Sequence, residues 1–252
     1  MEVHHHSGHG KKSWKELLFE FFMLFLAVTL GFLAENQRES MKRNEEAHLG
    51  MASMLSDLRS DLGLMDSVMD RNSYSALMAD SLVETMHNDI GNASSIYFAA
   101  RAVTANLGYY YSNSKSYDQL KSAGLLKLIH PRELMDSIGL YYTTFQWMAN
   151  QTELMRMKLD DVHKGNGPVF DSYVFQKMMK VPFSSSTGRH LEPLRPEGSP
   201  SLLTKDPALL NTVSLNYHYY ASTTRFYNRT ATSQGNLAKR LIAWIEKEYP
   251  QE

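Results

Sequence analysis

The chain of 252 residues contains no cysteine and only 8 prolines, and its 26 basic and 27 acidic side chains nearly cancel. Without cysteine there is no disulfide, thiolate metal site or cysteine nucleophile, which argues against a small disulfide-stapled secreted domain. A formal net charge of −1 gives no electrostatic attraction to nucleic acid. The scarcity of proline, together with 15 Met and 14 Tyr, favours helix-on-helix packing over a turn-rich β-sandwich. The composition therefore predicts an all-α fold.

Charge is nearly absent from one stretch near the amino terminus, residues 17–34, which reads LLFEFFMLFLAVTLGFLA. Its only charged residue is Glu20. Eighteen residues at about 1.5 Å each extend about 27 Å, close to the roughly 30 Å hydrocarbon thickness of a bilayer. Trp14 and Lys15 stand just before the stretch, where aromatic and cationic anchors belong. We expect residues 17–34 to be a transmembrane helix in contact with lipid.

A cleaved signal peptide is the alternative interpretation of the same stretch. The apolar region of a signal peptide usually has about 7–15 residues and ends at a site of small residues resembling A-x-A. Here the apolar run is longer and passes through Gly31 and Ala34 into charged residues without such a site. We therefore expect an uncleaved anchor.

The orientation of the anchor follows from the cations on its two sides. Three cations precede it and three follow it, so the counts are equal: Lys11, Lys12 and Lys15 against Arg38, Lys42 and Arg43. The preceding cations lie closer to the apolar stretch and are joined by the free amino terminus. These features predict a cytoplasmic amino terminus and a periplasmic domain in a bacterial inner membrane.

Inside the expected span, three residues are candidates for contact with another membrane helix. Ala27 and Gly31 are four residues apart and give a small-xxx-small face that permits close helix approach. Burying the Glu20 carboxylate in hydrocarbon costs free energy, and the residue lies one turn inside the boundary of the span. Three roles are open for it: an interfacial carboxylate that reaches the membrane surface, a contact with a membrane subunit, or proton handling.

The first 16 residues form a His- and Lys-rich tail. We expect it to be flexible, and the alternative is a weak zinc or nickel site because neutral imidazoles bind these ions. No cofactor is expected elsewhere. The histidines concerned are His4, His5, His6 and His9.

The apolar pattern continues beyond residue 34, and neither a proline nor an Asn-Gly break interrupts residues 17–88. Heptads predict one stalk helix over this range with two seam stripes. One stripe runs through Leu55, Leu62, Met69, Ala76 and Val83, and the other through Met51, Leu58, Met65, Asn72, Ala79 and Met86. His48 falls on the first stripe, so we expect it to be partly buried.

Five further segments complete the predicted bundle. Helices are expected over 93–111, 117–124 (after a capping box at Ser116), 131–163, about 171–180 and 207–249 (started by Asp206-Pro207), with an irregular loop at 181–206. The helix over 131–163 has an apolar stripe through Leu134, Ile138, Tyr141, Phe145, Met148, Met155, Leu159 and Val162. Tyr109, Tyr110 and Tyr111 would end the first of these as an amphipathic wall or, alternatively, as a ligand-stacking cage. Thr224 and Gln234 interrupt the apolar stripe of the last helix and predict a wetter stretch. Within the loop, Arg189, His190 and Arg195 are candidates for meeting an anion or a partner, or are ordinary exposed charge.

Motifs for catalysis are absent. The sequence contains no H-E-x-x-H, no P-loop and no dinucleotide-binding glycine motif. The adjacent carboxylates at residues 45–46 and 160–161 diverge by about 100° on a helix, so neither pair converges on a substrate. We expect no enzymatic activity.

Two segments carry a family resemblance. Residues 15–39, KELLFEFFMLFLAVTLGFLAENQRE, resemble the amino terminus of a family of uncharacterised bacterial single-pass membrane proteins. Residues 117–129, YDQLKSAGLLKLI, followed by Tyr141-Tyr142, resemble the central segment of the same family. The resemblance implies an inner-membrane anchor and a helical domain outside the membrane, and it implies no activity.

The predicted organisation is therefore a tail (1–16), a transmembrane helix (17–34) and a helical bundle domain (35–252). The expected function is a non-enzymatic, membrane-anchored scaffold or accessory subunit with a membrane-protein partner or a second copy of itself. The alternative is a sensor whose bundle binds a ligand and shifts the membrane helix. The 16 residues before the span hold no output domain, which makes a sensor the second choice.

Overall fold

The computed structural model describes residues 13–106, 108–178 and 190–250, and these contain six α-helices, one short 3₁₀ helix and no β-strand. The predicted all-α fold is confirmed. The 3₁₀ helix covers Leu126–Leu128. The α-helices are α1 (Trp14–Asn88), α2 (Ala93–Ala105), α3 (Lys115–Ser122), α4 (Arg132–Asn166), α5 (Ser172–Lys177) and α6 (Pro207–Glu248).

α1 is a single helix of 75 residues, as its uninterrupted pattern predicted. The carboxylate of Glu16 accepts a hydrogen bond from the Ser13 backbone N–H at 3.0 Å and so closes the first turn. No side chain between residues 13 and 46 is buried, whereas from Ala47 onward a side chain is buried at nearly every third or fourth position. The helix therefore has an unpacked part and a packed part.

α6 packs along α1 in the opposite direction. The Arg59 guanidinium lies 2.6 Å from the Glu246 carboxylate, and at the other end of the pair Ser214 meets Met86. Asp206 caps the start of α6 by accepting from the Ala208 N–H at 2.8 Å, as the Asp-Pro pair predicted.

α4 is antiparallel to α6 and therefore runs in the same direction as α1. The Asn166 side chain donates to the Tyr217 hydroxyl at 3.0 Å, and the Gln234 amide lies 3.5 Å from the Tyr141 carbonyl. Thr224 and Gln234 have exposed fractions of 0% and 2%. The prediction of a wetter stretch there is wrong, because the α4–α6 interface encloses both side chains.

The register of α1 also differs from the predicted seam. The stripe from Met51 to Met86 is buried throughout, as predicted. The other predicted stripe is buried only at Leu55 and Ala76, because a neighbouring stripe one residue away faces the core. His48 lies off this face and is exposed, and its ring is tilted by 49° against the Tyr249 ring with centroids 5.4 Å apart. The buried stripe holds Ala47, Met54, Asp61, Ser75 and Leu82.

α2 ends at Ala105, six residues earlier than predicted. The Asn106 side chain donates to the carbonyls of Ala102 at 2.8 Å and Leu191 at 2.6 Å, so it binds the returning loop where the helix would have continued. Gly108 then crosses α1 so closely that a Cβ would lie 3.0 Å from the Val68 carbonyl oxygen. Residue 107, expected to pack in this helix, lies outside the described residues.

Three smaller differences concern helix starts and lengths. α3 begins at Lys115, before the predicted Ser116 cap. α4 begins at Arg132, with Pro131 as its N-cap residue, and continues through Gly165 to Asn166. α5 covers Ser172–Lys177, within the longer range expected. Shifts of one or two residues are normal at helix ends, and the largest here are three residues, at the ends of α4 and α5.

Candidate functional site

The three membrane-contact candidates lie together on the unpacked part of α1. Glu20, Ala27 and Gly31 are all exposed. A Cβ built on Gly31 would meet no described atom within 4 Å. The bundle therefore does not cover this face of the helix.

Apolar side chains surround the helix on every side over the same range. An 18-residue window has a mean hydropathy of 2.3 and none of it is buried, so by length and composition α1 is apolar enough to cross a membrane. The large exposed side chains are Leu17, Leu18, Phe19, Phe21, Phe22, Met23, Leu24, Phe25, Val28, Leu30, Phe32 and Leu33.

Among the predicted metal and anion candidates, only His190 and Arg195 lie within the described residues. The tail histidines 4, 5, 6 and 9 and Arg189 lie outside the described residues, within which no cluster of three His, Asp or Glu could hold a metal ion. The His190 ring stacks on Tyr74 and meets Asp70 Oδ2 at 3.1 Å. The Arg195 guanidinium lies 4.7 Å from the centre of the Phe98 ring. These contacts hold the loop against the bundle.

The second candidate region is a cleft between the segment after α2, helix α3 and helix α4. Its volume is about 460 Å³, within the range of about 300–1,000 Å³ for small-molecule sites. Five aromatic residues line it, and the rest are small or polar apart from one carboxylate and one amine. The lining residues are Tyr110, Tyr111, Ser112, Ser114, Tyr117, Asp118, Lys121, Tyr142, Thr143, Phe145, Gln146 and Ala149.

A fully buried carboxylate lies behind the cleft. Asp61 of α1 has no exposed surface, and its two oxygens accept hydrogen bonds at 3.0 Å from the Tyr141 hydroxyl and the Asn113 backbone N–H. Burial raises the pKa of Asp61, and these two hydrogen bonds oppose that rise by stabilising the carboxylate.

A second carboxylate, one turn earlier on α1, holds the lip of the cleft. Asp57 accepts from the Asn113 side-chain amide at 2.6 Å and from the Ser116 backbone N–H at 3.1 Å. Ser116 is in the first turn of α3, where backbone N–H groups lack intrahelical partners. A side chain of α1 therefore supplies a cap for α3, and Ser114 bonds Asp118 at 2.7 Å.

The tyrosines of the cleft form a connected set of rings. Tyr117 stacks on Tyr142 with ring centroids 4.3 Å apart, and Tyr110 lies 5.0 Å from Phe145. The hydroxyl of Tyr142 is buried and has no hydrogen-bond partner among the described residues. Buried hydroxyls normally have partners, so this hydroxyl is a site where a ligand or water would be stabilised.

Three carboxylates lie near the Tyr142 hydroxyl in the wall of the cleft. Burial raises the pKa of the Tyr142 hydroxyl, and the carboxylates of Asp61, Asp57 and Asp118 raise it further because they disfavour a phenolate. Within the described residues, none of these three carboxylates has a Lys or Arg within ion-pairing distance.

The sequence patterns did not identify this constellation. Asp61 and Ser75 lie on a stripe one residue away from the predicted seam. One signal was available: Asp61 follows Leu58 by three residues and precedes Met65 by four, which places a carboxylate on a buried helical face. Asp57 and Asn113 carry no such signal because their pairing is a tertiary contact.

Comparison of the chain with protein-family models, curated proteins and solved structures finds no match. The family resemblance based on residues 15–39 and 117–129 therefore stays a prediction. Function has to be inferred from the two regions just described.

Proposed function

We propose that this protein is a non-enzymatic, membrane-anchored helical scaffold or accessory subunit. In this proposal residues 17–34 lie in a bacterial inner membrane, the amino terminus is cytoplasmic, and the bundle is periplasmic. A membrane protein or a second copy of the chain contacts the face that carries Glu20, Ala27 and Gly31.

The observation that carries the proposal is that the apolar side chains are exposed on the unpacked part of α1 and buried on its packed part. Burying a large apolar side chain stabilises a protein by about 1.5–3 kcal/mol. Transferring a dozen of them, each at least half exposed, from water into hydrocarbon therefore gains on the order of 10–30 kcal/mol. The bundle does not cover these side chains, and a bilayer would cover all faces of the helix at once.

Membrane attachment is tested with the full chain by carbonate extraction of membranes. Two arginines in the apolar part, Leu24→Arg and Val28→Arg, should release the chain because each charge costs about 2.5–3.5 kcal/mol in hydrocarbon. The matched control is Leu64→Arg with Leu77→Arg, two exposed leucines on the packed part of the same helix. Recovery of the unaltered chain in the soluble fraction would refute the anchor.

The absence of cysteine gives a direct test of orientation. A single cysteine at Ser201, which is exposed, should react with a membrane-impermeant thiol reagent in intact spheroplasts. A single cysteine at Ser7 should react only after the membrane is opened. The reverse pattern would overturn the proposed orientation and leave the anchor intact.

The scaffold role is tested by mild-detergent purification at native expression, with identification of the proteins that come along. Glu20→Leu and Gly31→Leu should reduce a specific co-purifying membrane protein or the homo-oligomer, whereas Phe32→Leu on the same segment should not. Purification of a lone monomer would contradict the scaffold proposal.

A sensor is the second candidate, and one observation favours it. α1 supplies both the unpacked apolar segment and the carboxylates, Asp57 and Asp61, that hold the wall of the cleft through Asn113. A ligand that moves this wall therefore acts on the same helix that carries the apolar segment. Such a sensor predicts that a cleft ligand changes the accessibility of a cysteine placed at Ser40.

A further inference from the structure

The aromatic cleft combines three properties that together define a class of ligand: ring walls, an excess of carboxylate and a small volume. A ligand site in this cleft would be a property beyond the proposed scaffold role, because a scaffold needs no ligand. Tyr109–Tyr111 were interpreted either as a wall or as a ligand-stacking cage, and two of the three, Tyr110 and Tyr111, line this cleft.

The rings provide an electron-rich lining. The faces of aromatic rings carry partial negative charge and attract ammonium groups within about 6 Å of the ring centre. The cleft already shows this interaction, because the Lys121 amine lies 5.9 Å from the centre of the Tyr117 ring. Tyr111 has 74% of its surface exposed, so it leaves one wall accessible from solvent.

The charges select the sign of the ligand. Asp118 lines the cleft and balances Lys121, and behind them lie Asp57 and Asp61 without a cationic partner among the described residues. In and behind the lining there are therefore three carboxylates against one amine, which favours a cation over an anion. The carboxylates are held by N–H and O–H donors on different walls, so they do not converge as ligands for a metal ion.

We propose that this cleft binds a small organic cation, an amine or quaternary ammonium group, against Tyr111 and the Tyr117 ring that the Lys121 amine now approaches. Tyr142 backs this site, because its ring is stacked on Tyr117 at 4.3 Å and leaves no room between the two. The cation comes from solution and not from a lipid headgroup. The 27 residues between Ala34 and Asp61 place the cleft about 40 Å along α1 from the apolar segment, beyond the reach of a headgroup.

The test uses the full chain in a non-ionic detergent, choline as the probe, and calorimetry with thermal unfolding as readouts. The matched ligand is 3,3-dimethyl-1-butanol, which has the shape of choline without its charge. Choline should bind and raise the unfolding temperature, and the neutral analogue should bind at least about tenfold more weakly. Equal binding of the two, or no choline binding at 50 mM, would overturn the proposal.

Variants assign the binding to the cleft. Tyr117→Leu should weaken choline binding about 2- to 30-fold. Lys121→Ala should strengthen it, because the resident amine no longer competes for the ring. Tyr219→Leu and Lys158→Ala are matched controls, since Lys158 lies at the same 5.9 Å over Tyr219 outside the cleft, and neither should change the affinity.

Two outcomes keep the proposal falsifiable if Tyr117→Leu fails to fold. Lys121 stands at the surface of the cleft. If Lys121→Ala binds choline no more tightly than the unaltered chain does, the proposed competition between the lysine amine and choline is contradicted. An equal choline affinity in nanodiscs with and without phosphatidylcholine is expected for a solute ligand, and inhibition by phosphatidylcholine would overturn the assignment to solution. Membrane attachment is measured separately, so failure here leaves the scaffold proposal unaffected.

Discussion

The hydrogen bond from Tyr141 to Asp61 permits a prediction with a defined magnitude. Tyr141→Phe removes one hydroxyl and keeps the ring, which is fully buried beside Tyr142 and Phe145. A hydrogen bond to a charged group stabilises a protein by about 1.5–3 kcal/mol, and one to a neutral group by about 0.5–1.5 kcal/mol. Because the lost donor also leaves an oxygen of Asp61 unpaired in the core, we expect a loss of about 2–3 kcal/mol.

The assay is denaturant unfolding of the full chain in mild detergent, followed by circular dichroism. For a chain of this size about 2–3 kcal/mol corresponds to a fall in Tm of roughly 4–12 °C. Tyr173→Phe is the control, because this tyrosine is 60% exposed and should change stability by less than about 0.5 kcal/mol. In a double-mutant cycle with Asp61→Asn the two changes should be non-additive by at least about 0.5 kcal/mol. A loss no larger than that of the control would refute the buried pair.

Three further predictions concern the same region. Since burial raises the pKa of Asp61, the folded state binds the carboxyl proton more tightly than the unfolded state does. The unfolding free energy should therefore fall as the pH rises from about 3.9 through the folded-state pKa. Asp61→Asn should make the unfolding free energy depend less on pH over this range, and an unchanged dependence would contradict the assignment. Gly108→Ala should destabilise the fold by about 1–3 kcal/mol in thermal unfolding, because its Cβ would press on a backbone carbonyl of α1; Gly139→Ala, with open space in the middle of α4, should stabilise it by about 0.5–1 kcal/mol. Asp57→Ala should cost about 1–2 kcal/mol and speed amide hydrogen exchange at the start of α3, whereas the exposed Asp66→Ala should do neither.

Long helices with strong end signals could be predicted from the sequence. Asp206-Pro207 marks the start of α6 because an aspartate cap and a first-turn proline are both local effects. The α4 stripe from Leu134 to Val162 is buried at every predicted position, since one amphipathic face determines which side packs.

Features that depend on tertiary contacts could not be predicted in this way. α2 ends where Asn106 binds Leu191, a residue 85 positions away. The seam of α1 is shifted because Asp61 finds partners in Asn113 and Tyr141, which makes a carboxylate acceptable where a pattern of apolar residues would place none. Gln234 is buried for the same kind of reason, because its amide lies 3.5 Å from the Tyr141 carbonyl.

The two candidate regions also differ in how far the sequence alone predicts them. The exposed apolar segment is a matter of composition, so Glu20, Ala27 and Gly31 could be located on it from the sequence alone. The cleft is formed by residues from α1, α3, α4 and the segment after α2. Its tyrosines were visible in the sequence, but their assembly around Asp57 and Asp61 required the fold.

Because α1 is continuous, the number of residues between its apolar part and its packed part determines which way the bundle faces relative to the apolar part. Residues 35–46 lie between the apolar and packed parts of one unbroken helix, and each residue inserted there rotates one part relative to the other by about 100° and separates them by about 1.5 Å. Two inserted residues turn the bundle by about 200°, to the opposite side. Seven residues turn it by about 700°, which is within about 20° of two full turns, and displace it by about 10 Å. The number of residues in this twelve-residue segment therefore sets both the rotation of the bundle and its distance from the apolar part.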